Sequence, residues 1–550
     1  MLKNLLFIIL IFFACLHCCD KKLNLSYING TNDSIPQKKI SEENLKSWHL
    51  KDLELDNLPG ISLDKAYDSI INNRNNSEEV IVAIIDMPLN IYHEDLRQNI
   101  WINKKEISNN GLDDDNNGYI DDINGWNFIG NVNGETSKFV NYEYTRILKK
   151  YDSDFENNLI TDSLLYKTYL RARDKYEKRL QYAIEDTSYI NIQKRGKSLA
   201  KETLSKFFID DNYSIKDLDS LKNLHPKDSI IKLHTRWMKA LIKYEFTDEY
   251  IDLYKLKADE RLDKLLNKDY NDRIIIGDNS DSLNEKNYGS PEINIYNGFF
   301  DHGTLIAGLI AARRDNNIGT KGISDNIKIM PLSISAFGDE HDKDIALAIR
   351  YAVDNGARVI NMSFGKEFSL YKKWVFDAIK YAEQNDVLIV KSAGNNGKDL
   401  EYFEVYPNDN NYFNREEVAD NFLMVGATNY YINKNMIPSF SNYGSSNVDV
   451  FAPGVEIYTT SVTKEKYELI DGGTSLSCAV TSGVAALVRS HYPNLTASQV
   501  KHILMDSGLE YTYDVRVNDT LLPFNQLSKS GKVINAYNAL IMADSISKKK

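Results

Sequence analysis

Gly472-Gly473-Thr474-Ser475-Leu476-Ser477-Cys478-Ala479 stands immediately before a run rich in Ala, Val and Leu, from Val480 to His491. Glycines at this point let the backbone turn sharply and let another segment approach it closely. The serine that follows enters a helix, where unpaired N–H groups and the positive end of the dipole favour a developing anion. A nucleophile placed there has one donor of an oxyanion hole beside it. Read alone, a Gly-Thr-Ser triplet is more economically an ordinary helix cap. What decides between the two lies upstream.

Val80-Ile81-Val82-Ala83-Ile84-Ile85-Asp86 is a continuous apolar run ending in a carboxylate, the pattern of a buried parallel strand. Asp301-His302-Gly303-Thr304 opens a second apolar helix, Leu305 to Ala312, and sets a histidine at another helix entrance. Asp86, His302 and Ser475 follow one another in the chain order of a subtilisin triad. With Ala83-Ile84-Ile85-Asp86, His302-Gly303-Thr304-Leu305-Ile306-Ala307-Gly308, Ser392-Ala393-Gly394-Asn395 and Gly473-Thr474-Ser475, the chain resembles the subtilisin-like serine proteases, or subtilases. The resemblance covers residues 46–545 apart from one large insertion, 135–290.

The resemblance implies an α/β fold of three layers, a parallel sheet between helices. It implies an endopeptidase working through an acyl-enzyme, with protein or peptide substrates and no cofactor for the chemistry. Amide cleavage passes through a tetrahedral oxyanion. Ser475 would attack, His302 would take the proton and return it to the leaving amine, and Asp86 would hold the imidazole in the useful tautomer. Asn395 would supply a side-chain donor to the oxyanion. Ser363-Phe364-Gly365, with Gly394, would pair with the substrate backbone and line the pocket for the residue before the cut. Alanine at 479 and proline at 88 depart from the residues common in the family, and neither removes a catalytic group.

Alternation continues after His302. Ile327 to Ile334 reads as a strand, Asp342 to Val353 as a helix, Ala357 to Met362 as a strand, Tyr371 to Gln384 as a helix and Val387 to Lys391 as a strand. Such alternation predicts a parallel sheet covered on both faces, with reactive residues gathered at the carboxyl ends of its strands. Ala497 to Met505 and Val533 to Ala543 read as closing helices.

Composition narrows the partners. The 550 residues hold 66 Lys+Arg against 78 Asp+Glu, a net charge of −12, which argues against nucleic acid. Of four cysteines, Cys15, Cys18 and Cys19 crowd the N-terminus, so the body holds only Cys478 and no internal disulfide framework. Residues 1–19 carry Lys3 and then an apolar run, Leu5 to Phe13, too short to span a bilayer. This segment resembles a bacterial lipoprotein signal with Cys15, after Ala14, as the lipidated residue. Cys19 is a second candidate, and an ordinary cleaved signal is a third reading. The resemblance implies an exported protein, periplasmic or at the cell surface, held to a membrane by a lipid anchor. Residues 20–45 are polar and aperiodic, a flexible tether.

Two segments remain. In Asn110 to Asp122, the residues Asp113, Asp115 and Asn117 at alternate positions, followed by Gly118, match the first half of an EF-hand-type loop. Tyr119 would offer its carbonyl and Asp121 a further carboxylate to structural Ca²⁺. Asn124 stands where that loop has glutamate, so a solvated acidic turn is the other reading. In the 135–290 insertion, Leu165, Tyr169, Ala172, Tyr176, Leu180 and Ile184 recur at helical spacing among many charges. This predicts a subdomain of three to five helices with its own small core, its two ends close together, able to select substrates from the surface. Outside the active enzyme, the sequence also admits a catalytically inactive lipoprotein that binds peptides in the same groove. A dedicated processing protease for one precursor is a further alternative.

Overall fold

The computed structural model describes residues 27–28, 40–74, 77–285, 288–295, 300–411, 416–463 and 465–548. The signal region 1–19, with Cys15 and Cys19, and most of the 20–45 tether lie outside them.

Val80–Asp86 is hydrogen-bonded on both edges, to Ile327–Ser333 on one side and Val359–Met362 on the other, in parallel register throughout. Outward from these, Trp126–Asn127 joins one edge, and Leu388–Ser392, Phe422–Thr428 and Val450–Pro453 follow on the other, all parallel. Lys532–Val533, Leu509–Tyr511 and Tyr27–Ile28 complete a ten-stranded sheet among the described residues. Side chains alternate faces along a strand. Val80, Val82 and Ile84 therefore enter one core, whereas Ala83 and Ile85 enter the other. The first core is covered by the helices His302–Ala311, Thr474–His491, Ala497–Asp506 and Ala536–Ser547. The second is covered by Asp342–Asp354 and Lys372–Gln384. The result is the three-layer α/β arrangement, helices on both faces of a mostly parallel sheet.

Element boundaries shift from the sequence reading, most at the last helix and the serine helix. Val533 belongs to a short strand, and the last helix begins at Ala536 behind an Asn535 cap whose side chain accepts from the Asn538 amide. The serine helix begins at Thr474 rather than Val480, so Ser475 lies within its first turn. Near the start of the described chain, the Trp48 ring is fully buried and its Nε1–H donates to the carbonyls of Val455 and Glu456 at 3.1 Å. Among the described residues, no helix is long and apolar enough to cross a membrane.

The 135–290 stretch leaves and rejoins the sheet edge at adjacent points, since Asn127 and Ser290 exchange backbone hydrogen bonds. It has two parts. Its root is the helix Glu143–Glu156 and the return segment 266–290. Its arm runs out along the 42-residue helix Ser163–Leu204, turns through Ile215–Leu224 and Ser229–Lys243, and comes back along Asp248–Glu260. The arm tip has a core of its own, with Ala200, Leu204, Leu218, Leu221, Ile231, Met238 and Leu241.

The root, by contrast, is wired into the catalytic body by buried charge. Lys366 Nζ lies 2.8 Å from Asp342 and 3.4 Å from Glu143. Arg273 binds Asp344 and Asp278, both at 2.7 Å, and Lys343 binds Asp278 at 2.6 Å. His341 Nε2 meets Asp272 at 2.9 Å. Burial alone would lower the Lys366 pKa, but Asp342 and Glu143 more than offset it and raise it. The root is thus not a detachable surface unit, because it holds the counter-charges of the body's buried ions.

Leaving a buried charge without its partner costs about 3–5 kcal/mol, and a few such losses match a domain's whole stability of about 5–15 kcal/mol. Excising 135–290 should therefore abolish cooperative thermal unfolding. Thr187 Oγ1 and the Ala258 carbonyl lie 3.4 Å apart across the arm, so a short Gly/Ser turn can replace 188–257. That shorter deletion should fold with a cooperative melt, and failure to fold would make the arm part of the core.

Candidate active site

Each reactive side chain sits where a strand or helix ends. Asp86 is the last residue of its strand, and its backbone carbonyl still accepts from the Ile334 amide at 2.9 Å. His302 is the first residue of its helix. That helix start reaches Asp86 because residue 303 is glycine: a Cβ there would stand 2.4 Å from the Met87 carbonyl. The helix is pinned further along, where Thr459 and Thr460 donate their hydroxyls to the carbonyls of Leu305 and Thr304 at 2.8 and 2.6 Å.

His302 Nδ1 lies 2.7 Å from Asp86 Oδ1, which also accepts from the Met87 amide at 2.7 Å. Asp86 is 1% exposed and its Oδ2 has no partner among the described residues. All of the carboxylate's hydrogen bonding is therefore spent on the oxygen that faces the imidazole. An N–H at Nδ1 leaves Nε2 free to accept a proton. Burial on its own would lower the His302 pKa, but the charge and hydrogen bond of Asp86 more than offset it, and the pKa is raised.

The Ser475 hydroxyl donates to the Ser363 carbonyl at 2.8 Å, while the Ser363 hydroxyl donates back to the Ser475 carbonyl at 3.0 Å. In this geometry the Ser475 hydroxyl proton is committed to the Ser363 carbonyl, not to His302. Catalytic hydrogen bonds of unliganded sites commonly tighten only when substrate is present, and rotation about one side-chain bond releases this one. Lying in a first helical turn, the Ser475 N–H has no acceptor within its own helix.

Asn395 is clamped from behind. Its Oδ1 accepts from the Thr474 amide at 2.9 Å and from the Thr474 hydroxyl at 2.8 Å, and that hydroxyl accepts from the Gly394 amide at 3.0 Å. Because a backbone N–H can only donate, the amide orientation is fixed with Nδ2 as the free end. Asn395, Ser475, Ser363, Phe364, Gly365 and Gly394 line one cavity of about 300 Å³. The sequence reading had placed all six at the site. It missed Tyr142, Tyr144, Lys175 and Arg179, which reach the same cavity from the root and arm of the insertion, together with Asp339 and Val405. No local pattern marks these residues, since they arrive through tertiary packing alone.

Two other residues with reactive side chains, His93 and Cys478, have structural roles. His93 accepts the Asp95 amide on Nδ1 and donates from Nε2 to the Lys466 carbonyl, which is a structural role. Cys478 is buried in the serine helix with its pKa pushed up to about 12 by burial, so it stays a thiol.

In the acidic loop, carboxylate oxygens of Asp113, Asp115 and Glu106 lie within 4.8 Å of one another. Glu106 is a buried residue that the sequence reading did not single out, and its Oε2 has no partner among the described residues. An orphaned buried oxygen beside two more carboxylates fits a hard cation. Asn117 and Asp121 are occupied differently. Asn117 donates to Asp122 and accepts from the Tyr119 amide, while Asp121 accepts from the amides of Asn110 and Gly111. The Tyr119 ring is packed edge-on against Trp126 and Tyr351.

A family model described as "Subtilase family" matches residues 77–526. Among curated proteins, the "Thermophilic serine proteinase" of Bacillus sp. (strain AK1) is 34% identical over 241 residues, covering 44% of this chain and 52% of that protein. "Subtilisin DY" of Bacillus licheniformis is 33% identical over 208 residues, covering 38% of this chain and 70% of that protein. The chain thus spans about half the length of the first of these relatives. A solved structure titled "Crystal structure of a cold adapted subtilisin-like serine proteinase" is 26% identical, with a TM-score of 0.34 over 43% of this chain and 74% of that one.

If Asp86 is what raises the His302 pKa, the ring should titrate in an NMR pH series with a midpoint above the ordinary 6.5. In Asp86→Asn burial is opposed only by the weaker charges of Asp301 and Glu340, and the midpoint should fall. A midpoint indifferent to that substitution would show that the pair does not control the base.

Proposed function

Since the chain belongs to the subtilase family, we propose that it is a serine endopeptidase that cleaves protein or peptide substrates. The observation that carries this reading is the meeting of the Ser475 hydroxyl and the clamped Asn395 amide in one cavity, with the Asp86–His302 pair at the end of the strand beside the one that Ser363 follows. An extended substrate laid along Ser363–Gly365 would pair its N–H groups with that strand's carbonyls. Taking up the Ser363 carbonyl in this way would free the Ser475 hydroxyl to swing to His302 Nε2. His302 then removes its proton as Ser475 attacks, Asp86 stabilises the imidazolium, and the oxyanion is met by the Ser475 N–H and Asn395 Nδ2. The proton passes from His302 to the departing amine, and water repeats the cycle on the acyl-enzyme.

Two further parts belong to the reading, the first resting on sequence pattern and the second on the carboxylate cluster of the acidic loop. We place the protein outside the cytoplasm, anchored to a membrane through a lipidated Cys15. We assign structural Ca²⁺ to Glu106, Asp113 and Asp115, remote from the chemistry.

A fluorophosphonate probe applied to fractionated cells should label one band in the membrane fraction. Ser475→Ala should abolish the label in a folded protein, and Cys15→Ser should move the labelled band to the soluble fraction. Asn395→Ala should lower kcat by about a hundred- to a thousandfold, the cost of removing the equivalent donor from a subtilisin. Label that survives Ser475→Ala would sink the nucleophile assignment.

For the cation, binding to the folded state alone stabilises by RT ln(1 + [L]/Kd), about 2.7 kcal/mol at a hundredfold excess over Kd. A chelator should therefore lower Tm, and Glu106→Gln should remove that sensitivity. An unchanged Tm, with no calcium in the purified protein, would leave the loop an acidic turn.

A further inference from the structure

Fully buried lysines in this protein come with a carboxylate. Lys343 has Asp278 at 2.6 Å, Lys366 has Asp342 at 2.8 Å and Lys501 has Glu417 at 2.8 Å. Lys391 is different. It is 0% exposed, lies near the end of the strand Leu388–Ser392, and forms no ion pair among the described residues. Its amine donates to the carbonyl of its own neighbour, Ser392. The Glu340 carboxylate acts on it only from beyond ion-pair distance, with Oε1 occupied by the Ser335 hydroxyl, and the adjacent Cys478 is an uncharged thiol. A buried ammonium without a counter-charge is costly. Burial accordingly lowers the Lys391 pKa to about 8, which leaves the amine mostly protonated at neutral pH.

The position of this amine gives it a use. A Cβ built on Gly365 would stand 3.0 Å from Lys391 Nζ and 2.9 Å from Val405 Cγ1. Gly365 and Val405 both line the cavity that holds Ser475. The ammonium therefore lies directly behind Gly365, one residue from the cavity wall, and is itself 0% exposed. The other charges there do not cancel it. Glu367 is bound to Lys175 at 2.5 Å, and Asp339 accepts from the Glu143 amide at 2.8 Å. Arg179 lines the same cavity and forms no ion pair among the described residues.

We propose that Lys391 determines specificity in the pocket for the residue preceding the scissile bond, its ammonium moving past Gly365 to receive the carboxylate of an acidic substrate side chain. The inference rests on the reading of Ser475 as nucleophile and Ser363–Gly365 as the substrate strand. A bound carboxylate would supply the counter-charge that the fold withholds. The same geometry disfavours a basic side chain, which would meet like charge.

The test uses the full chain and four peptides that differ only in the residue before the cut: Glu, Gln, Leu or Phe. The Glu peptide should exceed its uncharged isostere Gln in kcat/KM by roughly tenfold or more, the usual worth of a hydrogen bond to a charged group. Lys391→Met, which removes an uncompensated buried charge and should not lower Tm, is expected to bring the Glu/Gln ratio close to one. Gly365→Ala, which sets a methyl between amine and pocket, should depress the same ratio with Lys391 intact. An active wild-type enzyme without a Glu/Gln preference, or a ratio that neither variant changes, overturns the proposal. Failure of the wild-type protein to react with the fluorophosphonate probe or to cleave any of the four peptides overturns instead the reading beneath it.

Discussion

The site hangs on the strand Val80–Asp86, which is hydrogen-bonded along both edges and buried on both faces. A strand held this way cannot slip by one residue without carrying every side chain to the wrong core. Asp86 at its end is therefore fixed, and the rest of the site is located relative to it. The two neighbouring strands run in the same direction, so their ends gather at one edge of the sheet. Ser363 follows one of them directly, and the loop that carries Asn395 follows the next strand along. The serine and histidine helices lie together over the same face and bring their N-termini to that edge.

Hydrogen bonding around the reactive atoms is asymmetric. Asp86 spends its bonds on the oxygen that faces the imidazole, and Asn395 spends its oxygen on Thr474, which leaves Asn395 Nδ2 as the free end. Donors fixed in advance need no reorganisation when charge appears. The one group not held ready is the Ser475 hydroxyl, bonded to the carbonyl of the strand that would hold substrate. On the proposed function, filling that segment with substrate and freeing the Ser475 hydroxyl would be coupled through a single carbonyl oxygen.

Buried charge divides the molecule in a second way. Where the root of the insertion meets the body, lysines, arginines and carboxylates satisfy one another at close range, and the interface behaves as interior. The arm beyond it has a separate small core and surface ion pairs such as Lys194–Asp252, and exposed pairs of that kind contribute little to stability. Root and arm residues wall the cavity that holds Ser475, so the chain between Asp86 and His302 helps to shape that cleft.

Much of this was legible in the sequence because its signals are local. An unbroken apolar run ending in Asp86, a histidine and a serine each opening an apolar helix, and alternating strand and helix patterns need only neighbouring residues to be read. From them came the layered fold and the family, and the residues that the structure places together as Asp86–His302 and as Ser363, Asn395 and Ser475. The root of the insertion could not be separated from its arm in this way, because both are charged helices and only packing decides whose charges are buried. Glu106 joins Asp113 and Asp115 through the fold of the loop and not through their spacing. Lys391 reads in sequence as one more strand residue. Only the tertiary structure buries its amine without a carboxylate and sets it behind the missing side chain of Gly365, because counter-charge and access depend on segments far apart along the chain.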